Sequence, residues 1–192
     1  AGSGVISLLL SLKPLRRITA LEVQPGLADL ARRNVELNGL RGRIEVVEAD
    51  LRTYDPGRTF DLIFSNPPYI RRSTGFLSRS AEKSAAKHEL HGGLAEILGK
   101  TAEWLAPAGR ACFVYPEKRR KELLLAAGGC GLTDRRLRFV HPREGEPPNL
   151  FLIELGRASE PSQAEPELMG PLILYGPDGA YTAAAEAVFS GP

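Results

Sequence analysis

Residues 66–69 read Asn-Pro-Pro-Tyr and are preceded, across Ser65, by the run Asp61-Leu62-Ile63-Phe64. On average composition this four-residue string arises by chance in about one chain of this length in a thousand. A rigid turn is the plain structural use of consecutive prolines, which fix φ and drop two backbone donors. The string can also do chemistry. An exocyclic adenine amine is a poor nucleophile because its lone pair is delocalised into the ring. The Asn66 side-chain oxygen and the Pro67 carbonyl are two acceptors that can take its two hydrogens and favour a more tetrahedral nitrogen. Pro67 and Pro68 make the position of that carbonyl rigid, so little reorganisation is needed. Tyr69 can stack on a base that is flipped out or already unpaired. No general base of special pKa is required, because the proton leaves after the nitrogen becomes cationic. A glutamine side-chain amide presents the same NH2 geometry, so these four residues leave both substrates open.

Three further groups stand where strands end. Gly2-Ser3-Gly4 runs into an apolar, helix-like Val5–Leu12; Glu22 falls at the end of an apolar, β-branched stretch; Asp50 closes the next one. Each has an ordinary use, as a tight turn or a helix cap. In this order they suggest more. Glu22 lies 18 residues beyond Gly4, near the ~20 at which a carboxylate takes both hydroxyls of a ribose. Asp50 sits where a side chain can accept from an adenine amino group. A Gly-rich turn before a helix normally follows a strand, and residue 1 is Ala. The expectation is an N-terminal segment with at least one further strand, carrying an acidic residue a few positions before Gly2.

Between residues 71 and 88 the chain places Arg71, Arg72, Arg79, Lys83 and Lys87 against the single acid Glu82, in a protein whose net charge is only +2. Basic residues beside a base-binding motif suit phosphate contacts, and Arg119-Arg120-Lys121 with Arg135, Arg136 and Arg138 add further basic clusters. The competing use is a solvated loop in an arginine-rich chain. His88-Glu89-Leu90-His91 lacks the spacing of a zincin site, because position 92 is Gly, and no metal is expected.

Alternating helices and short apolar strands must position these groups. The strands are expected at Arg17–Val23, Arg43–Glu48, Thr59–Ser65, Gly109–Tyr115, Leu132–Val140 and Asn149–Leu155. Helical spacing covers Gly26–Asn38, Lys87–Leu105 and Glu117–Ala127. This is an α/β pattern with a largely parallel sheet, in which ligands bind beyond the carboxyl ends of the strands. Residues 1–157 make one domain; 158–192 are a linker and a short C-terminal extension. The chain's 192 residues, 43% hydrophobic and 25% charged, suffice for a single core and exclude disorder throughout. Cys112 and Cys130 are too few for a disulfide framework and fit a reducing cytoplasm. The longest apolar stretch, Val5–Leu12, is far short of the ~20 residues that span a bilayer.

With Asn66-Pro67-Pro68-Tyr69 in this setting, residues 1 to about 157 resemble the class I S-adenosylmethionine-dependent methyltransferases that carry an NPPY motif. Ser84–Glu89 (SAAKHE), the His141-Pro142 pair and Asn149–Gly156 are similar to the bacterial enzymes that methylate adenine N6 in the anticodon loop of a valine tRNA. The resemblance implies a Rossmann-like doubly wound sheet, mostly parallel, with one antiparallel strand near the C-terminal end and its first strand absent from this chain. It implies S-adenosyl-L-methionine as cofactor, S-adenosyl-L-homocysteine as product, and RNA, most of all tRNA, as partner. Gly2 and Gly4 match the cofactor loop, Glu22 the ribose-binding acid, Asp50 the adenine-contacting acid, with Val23 and Leu51 beside them. Asn66, Pro67, Pro68 and Tyr69 match the catalytic motif, with Asn66 also touching cofactor. Tyr69, Arg71, Arg72, Lys87 and His88 fall on the substrate side. Two rivals remain: a release-factor glutamine methyltransferase, which shares Ser65–Ile70 but is richer in glycine and acid after the motif, and a non-catalytic cofactor- or RNA-binding module.

Overall fold

The computed structural model describes residues 1–67, 93–158 and 165–190. The chain forms two compact units, Ala1–Asp55 and Pro56–Pro192.

The first unit is a βαβ element with a short helix before it. Helix α1 (Val5–Leu10) leads to β1 (Ile18–Glu22), α2 (Pro25–Leu37) and β2 (Ile44–Glu48). The two strands pair in parallel, from Ile18 opposite Ile44 to Glu22 opposite Glu48. Pro25 begins α2, a position where its fixed φ suits the helix and its missing N–H costs nothing. At the other end Gly39 adopts φ +67, and the N–H groups of Gly39 and Leu40 bond the carbonyls of Glu36 and Val35, which is a Schellman stop. The buried stripe of α2 is Ala28, Ala31 and Val35. Leu37, by contrast, is 83% exposed. Small alanines win here because helix and loop approach closely. Ala20, Val35 and Ile44 form the core, with Leu8, Ile18, Leu40 and Val46 packed on it.

The second unit is built on one sheet. Its elements are β3 (Phe60–Ser65), α3 (Leu94–Trp104), β4 (Leu105–Pro116), a single 3₁₀ turn at Glu117–Arg119, α4 (Arg120–Gly129), β5 (Leu132–His141), β6 (Leu150–Arg157), β7 (Glu167–Leu168), β8 (Leu172–Ile173) and α5 (Ala183–Ser190). The order is β3-β4-β6-β5, with β7 and β8 both pairing β5. β3 runs parallel to β4, β6 antiparallel to both β4 and β5, and β7 and β8 parallel to β5. The sheet is thus mostly parallel with β6 the antiparallel strand near the C-terminus, as expected. Alternate residues Ala111, Phe113 and Tyr115 of β4 and Phe151, Ile153 and Leu155 of β6 face one core with Leu98, Leu123, Ala127 and Leu132. This period of two is what a strand with one buried face requires. Each fully buried large side chain there contributes about 1.5–3 kcal/mol. Strand β4 begins at Leu105, earlier than its apolar run suggests, with a register shift between Phe60 and Leu62. Gly109 explains it: a Cβ there would stand 2.9 Å from the Phe60 carbonyl oxygen and 3.0 Å from that of Ala106.

Candidate functional site

In the first unit the chemistry gathers at the carboxyl end of β1. Glu22 is its last residue and is buried. Its Oε2 accepts the N–H of Gly2 at 2.6 Å and lies 2.8 Å from the nitrogen of Ala1; its Oε1 accepts the N–H of Gln24 at 2.9 Å. Burial pushes this carboxyl up, while the bonds from Ala1, Gln24 and Gly2 pull it down, and the bonds prevail: Glu22 lies below the usual carboxylate range. It is therefore ionised at neutral pH. A carboxylate has room for about four hydrogen bonds, so Oε1 keeps capacity for another donor.

Gly2 and Gly4 stand at φ +60 and +85, conformations that side chains with a Cβ rarely adopt. Gly4 also packs on α2, where a Cβ would come within 3.2 Å of the Ala31 Cβ. Asn34 fixes the same loop by donating from Nδ2 to the Ser3 carbonyl at 2.9 Å. The sequence gives no sign of that bond beyond the helical spacing over Gly26–Asn38. Val23 is half-buried next to Glu22.

Asp50 follows β2 and organises its own turn. Its carboxylate accepts the Arg52 N–H at 2.9 Å and the Arg52 guanidinium at 3.0 and 3.1 Å, while its carbonyl receives the N–H groups of Thr53 and Tyr54. Leu51 is half-buried within that turn. The Arg52 clamp was not foreseen. It orients Asp50 and takes up part of the accepting capacity that an adenine amino group would use.

The donors and acceptors of this unit suit S-adenosylmethionine. A buried, ionised carboxylate fits the two hydroxyls of a ribose, Asp50 fits an amino donor, and a glycine turn lets backbone approach a ligand closely.

In the second unit, Asn66 and Pro67 follow β3 immediately, at the carboxyl end of the parallel strands β3 and β4. Asn66 is exposed and Pro67 buried. Pro68, Tyr69, Arg71, Arg72, Lys87 and His88 lie outside the described residues, as does His91. The other basic clusters are engaged within the fold. Arg119 binds Glu122 through two nitrogens at 2.8 and 2.6 Å and lies over the Tyr115 ring. Arg120 binds Glu117 and lies over Phe139. Arg135 and Arg138 donate to the carbonyls of Arg157 and Gly170, and Arg136 pairs with Glu167 at 3.0 Å. These arginines fasten structure, which leaves the segment 71–88 as the main basic feature. Among the described residues no group of three His, Cys, Asp or Glu is placed to hold a metal ion, and no helix is long and apolar enough to cross a membrane.

A family model described as "Methyltransferase small domain" matches residues 1–127. The tRNA1(Val) (adenine(37)-N6)-methyltransferase of Tolumonas auensis is 31% identical over 184 residues, covering 94% of this chain and 74% of that protein. Its namesake from Aeromonas hydrophila is 30% identical over 186 residues, covering 95% and 75%. A crystal structure from Agrobacterium tumefaciens, described as a predicted O-methyltransferase, matches with a TM-score of 0.72 at 21% identity, over 99% of this chain and 85% of that one. That last likeness is one of fold.

Proposed function

Because the chain belongs to the methyltransferase small domain family, we propose that it transfers the methyl group of S-adenosylmethionine to N6 of an adenine in tRNA. The observation that carries this is the similarity along nearly the whole chain to tRNA1(Val) (adenine(37)-N6)-methyltransferases. Adenine 37 of a valine tRNA is accordingly the substrate we assign, and tRNA as partner sets the work in the cytoplasm.

S-adenosylmethionine, when bound, supplies an electrophilic methyl on a sulfonium. The remaining work falls to the protein. Gly2, Gly4, Glu22 and Val23, with Asp50 and Leu51, hold the cofactor: Glu22 accepts from the ribose, and Asp50 from the adenine amino group. Asn66 Oδ1 and the Pro67 carbonyl accept the two hydrogens of the target amine, drawing its lone pair out of conjugation and toward the methyl. Pro68 keeps that carbonyl rigid and Tyr69 stacks on the extruded base. Holding the amine in line at near-attack distance can remove several kcal/mol of barrier. No side chain needs to act as a strong base, because the nitrogen loses its proton after it has become cationic. To Arg71, Arg72, Lys87 and His88 we assign substrate binding, the basic side chains as partners of RNA phosphates.

Asn66→Ala tests the division of labour. Transfer should fall by at least about a hundredfold, the loss seen when one preorganised hydrogen-bonding group is removed from an active site, while the dissociation constant for S-adenosylmethionine changes little. Unaltered transfer would remove Asn66 from this role.

A further inference from the structure

Residues 117–122 read Glu-Lys-Arg-Arg-Lys-Glu and hold the longest unbroken run of basic residues in the chain. The fold sets this run beside Asn66. β3 and β4 pair in parallel, with Ser65 opposite Phe113. β4 continues past that point to Pro116, and the chain then makes the 3₁₀ turn and enters α4. The turn therefore stands at the end of the sheet where Asn66 leaves β3. It is carried by the neighbouring strand, about 5 Å away in the hydrogen-bonding direction. The Glu117 N–H, bonded to the Asn149 carbonyl at 3.0 Å, fastens it to the chain entering β6.

Spacing alone would match each lysine with an acid four residues away, Lys121 with Glu117 and Lys118 with Glu122. The structure gives both acids to the arginines instead. Arg120 donates from Nε to the two oxygens of Glu117 at 2.9 and 3.1 Å. Arg119 donates to Glu122 from Nε at 2.8 Å and from Nη2 at 2.6 Å. Lys118 and Lys121 are exposed, and neither has an acidic partner among the described residues. Arg119 also keeps a donor in excess: its Nη1 is buried and meets no acceptor. A separation of three residues on a helical turn puts the two lysines on one face, their Cβ atoms about 5–6 Å apart. The fold gains nothing from them there. Like charges at neighbouring helix positions repel, and the first turn of a helix is its positive end, where a cation is unfavourable.

We propose that Lys118 and Lys121 bind phosphates of the RNA strand flanking the adenine that Asn66 receives. They form a second set of backbone contacts, separate in sequence from Arg71 and Arg72. This rests on the tRNA reading above and adds to its substrate site. With the arginines held against Glu117 and Glu122, the two lysines stand clear as compact charges on flexible stems, each with three rotatable donors. A phosphate is the ligand such a pair complements, and a lysine meets it as a point charge without fixing its orientation. The positive helix end, which makes these lysines unfavourable in the free protein, adds to the attraction once an anion is present. A local cost at the rim of an active site is where function is expected to override fold.

The test uses the full chain, S-adenosylmethionine and a valine tRNA anticodon stem-loop. Lys118→Ala with Lys121→Ala, and Lys118→Arg with Lys121→Arg, are set beside the wild type. Loop binding is read by fluorescence anisotropy across a salt series, and methyl transfer by labelled cofactor. Each phosphate contact on a single strand contributes roughly 0.7 to the slope of log affinity against log salt. Losing two should flatten the slope by about 1.4 and, reckoned from 1 M down to 0.1 M salt, weaken binding about 25-fold. KM for the RNA should rise in step, while kcat at saturating RNA and cofactor affinity stay at wild-type values. The melting temperature should hold or rise, since two cations leave the positive end of α4. The arginine pair keeps both charges and should restore affinity and slope. Unchanged affinity and slope in the alanine pair would overturn the proposal. So would an arginine pair as weak as the alanine pair, or a fall in melting temperature that accounts for the weaker binding. Because binding is measured without transfer, a wild type that binds the loop but methylates no adenine would refute the assigned reaction and leave the lysine comparison intact. A wild type that does not bind the loop would overturn both.

Discussion

Replacing Glu22 by glutamine keeps the shape of the side chain and removes one acceptor and the charge. In the native protein Gly2 and Gln24 deliver N–H groups to opposite oxygens at 2.6 and 2.9 Å. An amide can answer only one of them, and its NH2 then faces the other donor. Leaving that partly buried N–H unmet costs about 1–3 kcal/mol. The surviving bond loses its charge assistance, about 1 kcal/mol more, since charge-assisted bonds are roughly twice as strong. Urea unfolding at neutral pH should therefore show a loss of about 2–4 kcal/mol in the unit that holds Glu22. Calorimetric titration should show S-adenosylmethionine bound about 5- to 150-fold more weakly, the equivalent of 1–3 kcal/mol. The pH dependence has a definite sign. Glu22 titrates lower in the folded protein than in the unfolded chain. Its contribution is thus complete above the unfolded value and is lost as pH falls through the folded one. The wild type should lose this increment on acidification, and Glu22→Gln, which has nothing to protonate, should not. Equal unfolding midpoints and equal cofactor affinity would refute the placement of Glu22 at the ribose.

Gly109→Ala should destabilise the protein by about 1–3 kcal/mol, because the new methyl meets backbone oxygens that cannot withdraw; an unshifted urea midpoint would contradict the close approach of β3 and β4. Burial and the neighbouring Glu154 push the Cys112 thiol up to about 11, so at mildly alkaline pH iodoacetamide should alkylate it about two orders of magnitude more slowly than in the unfolded chain, and Glu154→Gln should speed the reaction. Arg71→Ala with Arg72→Ala should weaken tRNA binding and flatten the log–log salt slope by roughly 0.7–0.9 per charge removed, with cofactor affinity unchanged; an untouched slope would make the segment a solvated surface.

Local pattern carried most of the elements. The strands ending at Glu22, Glu48 and Ser65 begin and end within about a residue of where β-branched runs and turn residues put them, because their boundaries are set by neighbours in sequence: Pro25, Gly39 and the Asn66-Pro67 step. What pattern missed depends on contacts far along the chain. Strand β4 starts at Leu105 because Gly109 lets the Phe60 carbonyl come close. β7 and β8 form only because β5 offers an edge and Arg136 and Arg138 secure it, and nothing in residues 167–173 announces a strand. The site divides in the same way. The spacing of Gly2, Gly4 and Glu22 was legible, but the N–H groups that hold the Glu22 carboxylate were not. The charge of Arg119, Arg120, Arg135, Arg136 and Arg138 was legible too, and it suggested phosphate contacts; only three dimensions show acids, carbonyls and rings already occupying them.

The central claim is tested most directly by where the methyl goes. The protein is incubated with S-adenosylmethionine labelled on its methyl group, together with unmodified valine tRNA and purified release factor in one reaction. The RNA is then digested to nucleosides and the protein to peptides. The account predicts label in N6-methyladenosine at the position just 3′ of the anticodon and none in the release factor. Label on a release-factor glutamine with the tRNA unlabelled would contradict it, and would reassign Asn66 and Pro67 to the amide of a protein side chain.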